Sequence, residues 1–120
     1  MASGGKRQDI LGEAGLTPGE KRTIRFVVKD SADVDIVSFT GWTFKFYLVS
    51  GLHTLDNLTN LEASATLKIA VTGATAPNVD VPLSVDNTKN LAPKKWAYEL
   101  WRNDSGNERR LAYGIFQLIH

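Results

Sequence analysis

Enzymatic chemistry needs a positioned acid, base or nucleophile, and this chain holds few residues suited to those roles. Its only histidines are His53, inside a leucine-rich stretch, and His120, the last residue given. Ser38, Ser84 and Ser105 stand outside any nucleophile-elbow context. Ala70-Val71-Thr72-Gly73-Ala74 follows a strand-like run but lacks the lysine and the succeeding helix of a phosphate loop. With no cysteine, a disulfide framework, a thiolate metal site and a cysteine nucleophile are excluded. Asp30, Asp33 and Asp35 could together offer oxygens to calcium. Their segment lacks the remaining ligands and the glycine turn of a calcium loop, and reads as a solvated turn. Asn57-Leu58-Thr59 and Asn103-Asp104-Ser105 match the glycosylation acceptor pattern, which matters only in a secreted chain. The sequence thus predicts no enzyme, no metal, no cofactor and no small-molecule substrate.

The 14 basic and 13 acidic side chains leave a net charge of +1, too little for the field that drives non-specific nucleic-acid binding. The basic pairs Lys6-Arg7, Lys21-Arg22, Lys94-Lys95 and Arg109-Arg110 are scattered along the chain, as solvated strand ends would be. Residues 1–9 lack the apolar run of a signal peptide, and no later stretch approaches the ~20 apolar residues of a membrane span. The expectation is a soluble protein made in the cytoplasm, bound to neither nucleic acid nor membrane.

Any function must therefore rest on surfaces, and surfaces are positioned by the fold. A chain of 120 residues suffices for one hydrophobic core, and its apolar residues recur with period two. Ile24, Phe26 and Val28 alternate with polar neighbours, as do Trp42, Phe44, Phe46 and Leu48, the strongest strand signal in the chain. Leu67, Ile69 and Val71 form a third run, and Val79, Val81, Leu83 and Val85 a fourth. Pro82 puts that fourth strand at a sheet edge, because proline cannot donate to a ladder. Trp96, Tyr98 and Leu100 point inward from a fifth strand, and residues 103–107 read as the loop of a hairpin to a sixth. In that last strand Leu111 and Tyr113 differ in parity from Phe116 and Leu118, which predicts a bulge at Gly114. Six short antiparallel strands predict an all-β protein, an immunoglobulin-like antiparallel β-sandwich over residues 21–120.

Residues 1–20 carry five glycines and only Ile10, Leu11 and Leu16 as sizeable apolar groups. They cannot bury enough surface to offset their ordering entropy and read as an N-terminal arm that orders on a neighbour. Leu52, Leu55, Leu58 and Leu61 recur every third residue between strands two and three, the spacing of a tight helical turn. They either fold onto the core or form a partner-binding flap. After the fourth strand, Asp86 is a candidate helix cap, Leu91 an apolar plug and Pro93 a stop. Trp101 projects opposite to Leu100. It is either an exposed interface anchor or is covered by the arm or by the 52–61 loop. The candidate partner-binding residues are Ile10, Leu11, Leu16, Leu52, Leu55, Leu58 and Trp101.

Four segments carry a resemblance: Phe39-Thr40-Gly41-Trp42-Thr43-Phe44, Ala74-Thr75-Ala76-Pro77-Asn78-Val79, Leu91-Ala92-Pro93 ahead of Trp96-Ala97-Tyr98-Glu99-Leu100-Trp101-Arg102, and Leu111-Ala112-Tyr113-Gly114-Ile115-Phe116. Over residues 20–119 the chain resembles small bacteriophage virion proteins, those like the immunoglobulin-like N-terminal domain of phage baseplate upper proteins and related head and tail accessory modules. One departure is Lys94, where the family often has glycine. The resemblance implies a virion protein synthesised in the host cytoplasm. Its partners would be other virion structural proteins and copies of itself, and its role capsid decoration or tail and baseplate docking. The alternative is a carbohydrate-binding or host-surface adhesion module using Trp42 and Trp101 as a stacking platform.

Overall fold

The computed structural model describes residues 6–7, 21–29, 34–50, 58–72, 74–89, 91 and 94–118. The alternating runs become strands: β2 (Arg22–Val27), β3 (Phe44–Val49), β4 (Leu67–Val71), β5 (Asn78–Leu83), β6 (Lys95–Arg102) and β7 (Arg109–Gln117). A two-residue strand β1 (Lys6–Arg7) precedes them, and two helices, α1 (Leu58–Ser64) and α2 (Val85–Thr88), interrupt them. Five strands form one sheet in the order β1-β7-β6-β3-β4, and β2 pairs with β5 in a second. All pairings are antiparallel except β1 with β7. The protein is an all-β sandwich, as the six alternating runs imply.

The inner faces meet where the alternation places them. Phe26 and Val28 from the β2 segment, Phe44, Phe46 and Leu48 from β3, Val79 and Val81 from β5, and Trp96, Tyr98 and Leu100 from β6 are all buried in one cluster. Three rings tie the two sheets together. Phe26 lies 5.6 Å from Tyr98 and 6.4 Å from Phe46, and Phe46 stacks on Tyr98 at 5.7 Å and 22°. Pro82 is exposed opposite Thr23, in a sheet of two strands where each is an edge.

Local details depart from the sequence reading in three places. The bulge lies at Leu111 and not at Gly114: Leu100 pairs with Ala112 and Trp101 with Arg110, so Leu111 is the extra residue. From Ala112 onward every second residue then faces the sandwich, with Gly114 buried opposite Tyr98. The cap of α2 is Ser84 and not Asp86. Its hydroxyl accepts from the Asn87 amide, and the Asn87 side chain accepts in return from the Ser84 amide, a reciprocal pair that satisfies two otherwise orphan donors. Finally, Lys6–Arg7, placed by the sequence in an arm awaiting a neighbour, pairs in parallel with Ala112 and Tyr113 of its own chain. Leu91 is half-buried against the main core, as a plug would be.

Candidate docking surface

Of the seven candidate partner-binding residues, Ile10, Leu11, Leu16, Leu52 and Leu55 lie outside the described residues, as do His53, His120, Asp30 and Asp33. Leu58 and Trp101 are described, and the structure brings them together on the outer face of the five-stranded sheet. Trp101 is not exposed. Only 3% of its surface reaches solvent, because a second cluster of Tyr47, Val49, Leu61 and Ala97 encloses it, with Leu58 packed at its margin. The alternation of β6 does direct Trp101 away from the main core, but α1 lies over that face and inserts the fully buried Leu61. The last part of the leucine-rich segment thus acts as a cover for the sheet.

Polar contacts fasten the cover. The Tyr47 hydroxyl donates to Glu62 Oε2 at 2.5 Å, Lys45 Nζ reaches the same oxygen at 2.9 Å, and Lys68 Nζ donates to the Glu62 carbonyl at 2.9 Å. Burial and the Glu62 contact push the Tyr47 hydroxyl above its ordinary range, and the Tyr47 and Lys45 hydrogen bonds hold the Glu62 carboxyl below its own. Tyr47, placed by period two on the polar side of its strand, is fully buried for the same reason as Trp101.

On the same face of β6 sits a buried carboxyl group that the pattern did not mark. Glu99 is entirely buried and accepts from the Trp101 indole N–H at 3.0 Å. The Arg110 guanidinium approaches the same Oε1 at 3.6 Å and lies 4.1 Å from the centre of the Tyr113 ring. A single signal was available in the sequence: Glu99 and Trp101 lie two apart on one strand, hence on the same face. Trp101 is covered by the cluster that includes Leu61 of α1, whereas Glu99 lies between Tyr47 and Tyr113 in the cross-strand register.

A second polar cluster braces the β6–β7 hairpin. The Arg102 guanidinium forks onto Asp104, Nε to Oδ1 at 2.9 Å and Nη2 to Oδ2 at 3.0 Å, and lies 3.9 Å over the Trp42 ring. The other neighbours of Trp42 are Phe39 at 5.2 Å and Phe44 at 6.1 Å. With Trp101 buried and Trp42 held among Phe39, Phe44 and Arg102, the flat aromatic platform expected for sugar stacking is taken up by protein contacts. The Arg102 fork, aided by the Thr43 amide, holds the Asp104 carboxyl down at about 2, against an ordinary 3.8. A carboxyl depressed in the folded state stabilises fully above its unfolded pKa, and that stabilisation fades as pH falls through the folded one. The stability difference between the native protein and Asp104→Asn should therefore be constant above pH ~4.5 and close as pH approaches ~2. Melting temperatures of both proteins across that range check it, and a gap that stays constant to pH ~2 would refute the assignment.

Asp35, the described member of the candidate calcium turn, is engaged by Lys29 Nζ at 2.6 Å, and its backbone bridges back to Lys29. Among the described residues there is no cluster of three metal-ligating side chains, and no helix is long and apolar enough to cross a membrane.

These features define a small two-sheet β-sandwich whose larger sheet is buried on parts of both faces. No family model, no curated protein and no solved structure matches the chain.

Proposed function

We propose that this chain is a non-enzymatic structural protein of a bacteriophage virion, a docking or decoration module that binds neighbouring virion subunits in the capsid, tail or baseplate. The reading originates in the resemblance of the four segments quoted above, which fall at the entry to β3, the entry to β5, β6 and β7. The strand order supports its immunoglobulin-like part. In such a sandwich the second and fifth strands pair in one sheet and the third, sixth and seventh in the other, with an optional strand beside the third. Here β2 pairs with β5, and β7-β6-β3 is extended by β4.

The observation that carries a docking role is β1. A segment ahead of the sandwich adds to the edge of its own chain's sheet by main-chain pairing, and strand addition, when made to another molecule, is a common way for extended segments to join rigid bodies. An antibody raised against the purified protein tests the proposal on gradient-purified phage particles from the producing host. The protein should band with the particles, and immunogold should decorate one defined location. Its absence from intact particles, with all of it left in the soluble fraction, would overturn the proposal.

A further inference from the structure

We propose that α1 is an acid-loosened cover, held beside Trp101 by the Glu62 carboxylate and released as that carboxylate takes up a proton. The inference goes beyond the docking reading and does not depend on it.

The anchor is a convergence of donors on one side chain. Lys45 and Tyr47 stand two apart on β3 and so share the outer face of the sheet, and the register puts Lys68 of β4 directly opposite Tyr47. Together they offer two ammonium groups and a phenol, all donors. Glu62 answers each of them. Its carboxylate accepts from Lys45 Nζ at 2.9 and 3.2 Å and from the Tyr47 hydroxyl at 2.5 Å, and its backbone carbonyl accepts from Lys68 Nζ at 2.9 Å. One residue earlier, Leu61 is the side chain that α1 buries in the cluster of Tyr47, Val49, Ala97 and Trp101. Anchor and plug are adjacent, so the seat of Leu61 is tied to Glu62.

Charge decides how well the anchor holds. Hydrogen bonds to an ionised carboxylate are about twice as strong as those between neutral groups. Lys45 and Lys68 are diagonal neighbours across β3 and β4, and the carboxylate offsets their repulsion. A protonated Glu62 loses that attraction and turns an O–H toward two ammonium groups that cannot accept it.

The hydrogen bonds from Tyr47 and Lys45 hold the Glu62 carboxyl below its ordinary 4.5. A carboxyl depressed while the cover is closed favours closure fully above pH ~4.5, and that contribution is lost as the pH falls through the depressed value. The Glu62 side chain is 42% exposed, so solvent screens part of the effect. The main core contains none of Lys45, Tyr47, Leu61, Glu62 or Lys68, and the sandwich therefore outlasts the cover.

Amide hydrogen exchange followed by NMR tests the release. The Ala65 amide donates to the Leu61 carbonyl at 2.9 Å and reports on α1, whereas the Val28 amide donates to the Pro77 carbonyl at 2.8 Å and reports on the smaller sheet. Trp101 is a poorer reporter, because its indole bonds a second carboxylate, Glu99, which Arg110 approaches. Protection factors, which remove the intrinsic pH dependence of exchange, are compared at pH ~6 and pH ~3 in low salt. Glu62→Gln keeps the shape of an exposed side chain and leaves the fold intact. Acid release predicts that protection of Ala65 in the native protein falls several-fold more than that of Val28 at the lower pH. In Glu62→Gln the low value should already be present at the higher pH, with no further fall beyond that of Val28. Parallel changes at Ala65 and Val28 in the native protein would refute acid release, as would a Glu62→Gln protein with native protection at the higher pH or an undiminished response to acid.

Discussion

Glu99→Ala should destabilise the domain by about 3–5 kcal/mol, the usual cost of breaking a buried ion pair from one side. The carboxylate is fully buried, and its removal takes a partner from both the Trp101 indole and the Arg110 guanidinium, itself almost wholly enclosed. Against a total stability of about 5–15 kcal/mol for a domain of ordinary size, that loss is a large fraction. The size of the effect comes from the charge left behind and not from the strength of the pair. Replacing both members by apolar residues, Glu99→Met with Arg110→Met, should therefore recover most of it. Urea denaturation of the single and double variants measures both numbers. A double variant as unstable as Glu99→Ala would show that the group is needed for its shape or hydrogen bonds, and that stranded charge is not the dominant cost.

Phe46→Ala should cost a similar amount, about 3–5 kcal/mol, by a different route. Phe46 is fully buried at the centre of the three-ring contact joining the sheets, stacked on Tyr98 and tilted against Phe26. Its removal forfeits the transfer free energy of the ring and leaves a cavity that two strands and an opposing layer cannot easily close. Its neighbour Lys45 provides the control. Lys45 points to the other face and pairs with Glu62 while still partly solvated, so Lys45→Ala should cost no more than about 1 kcal/mol. Equal losses at the two positions would mean that the inner face of β3 has been assigned to the wrong side.

Those two predictions separate what could be read in the chain from what could not. Phe46 was legible, because a strand has period two and Trp42, Phe44, Phe46 and Leu48 all fall on one parity. The hairpin at residues 103–107 and the edge position of Pro82 were legible for equally local reasons, a polar glycine-containing loop and a missing amide donor. Glu99 was not legible. Its neighbours on β6 alternate as a half-buried strand should, and on that pattern a glutamate belongs in water.

Residues 96–101 are instead all buried, because β6 lies inside the larger sheet with the main core on one side and the α1 cover on part of the other. Residue types along a strand report which face is apolar. They do not report that a helix some forty residues earlier in the chain will cover the remaining face. The bulge shows the same division. The change of parity between Leu111 and Phe116 was evident in the sequence, but its position at Leu111 was decided by the register of β6 against β7. The sequence by itself therefore determined the strands, their inner faces and the all-β class, since these follow from local periodicity. Tertiary structure alone decided that Trp101 and Glu99 are interior, that the bulge sits at Leu111, and that Lys6–Arg7 joins the sheet edge. The first and last depend on contacts between segments far apart in the chain, and the bulge on the register of two neighbouring strands, none of which a local pattern records.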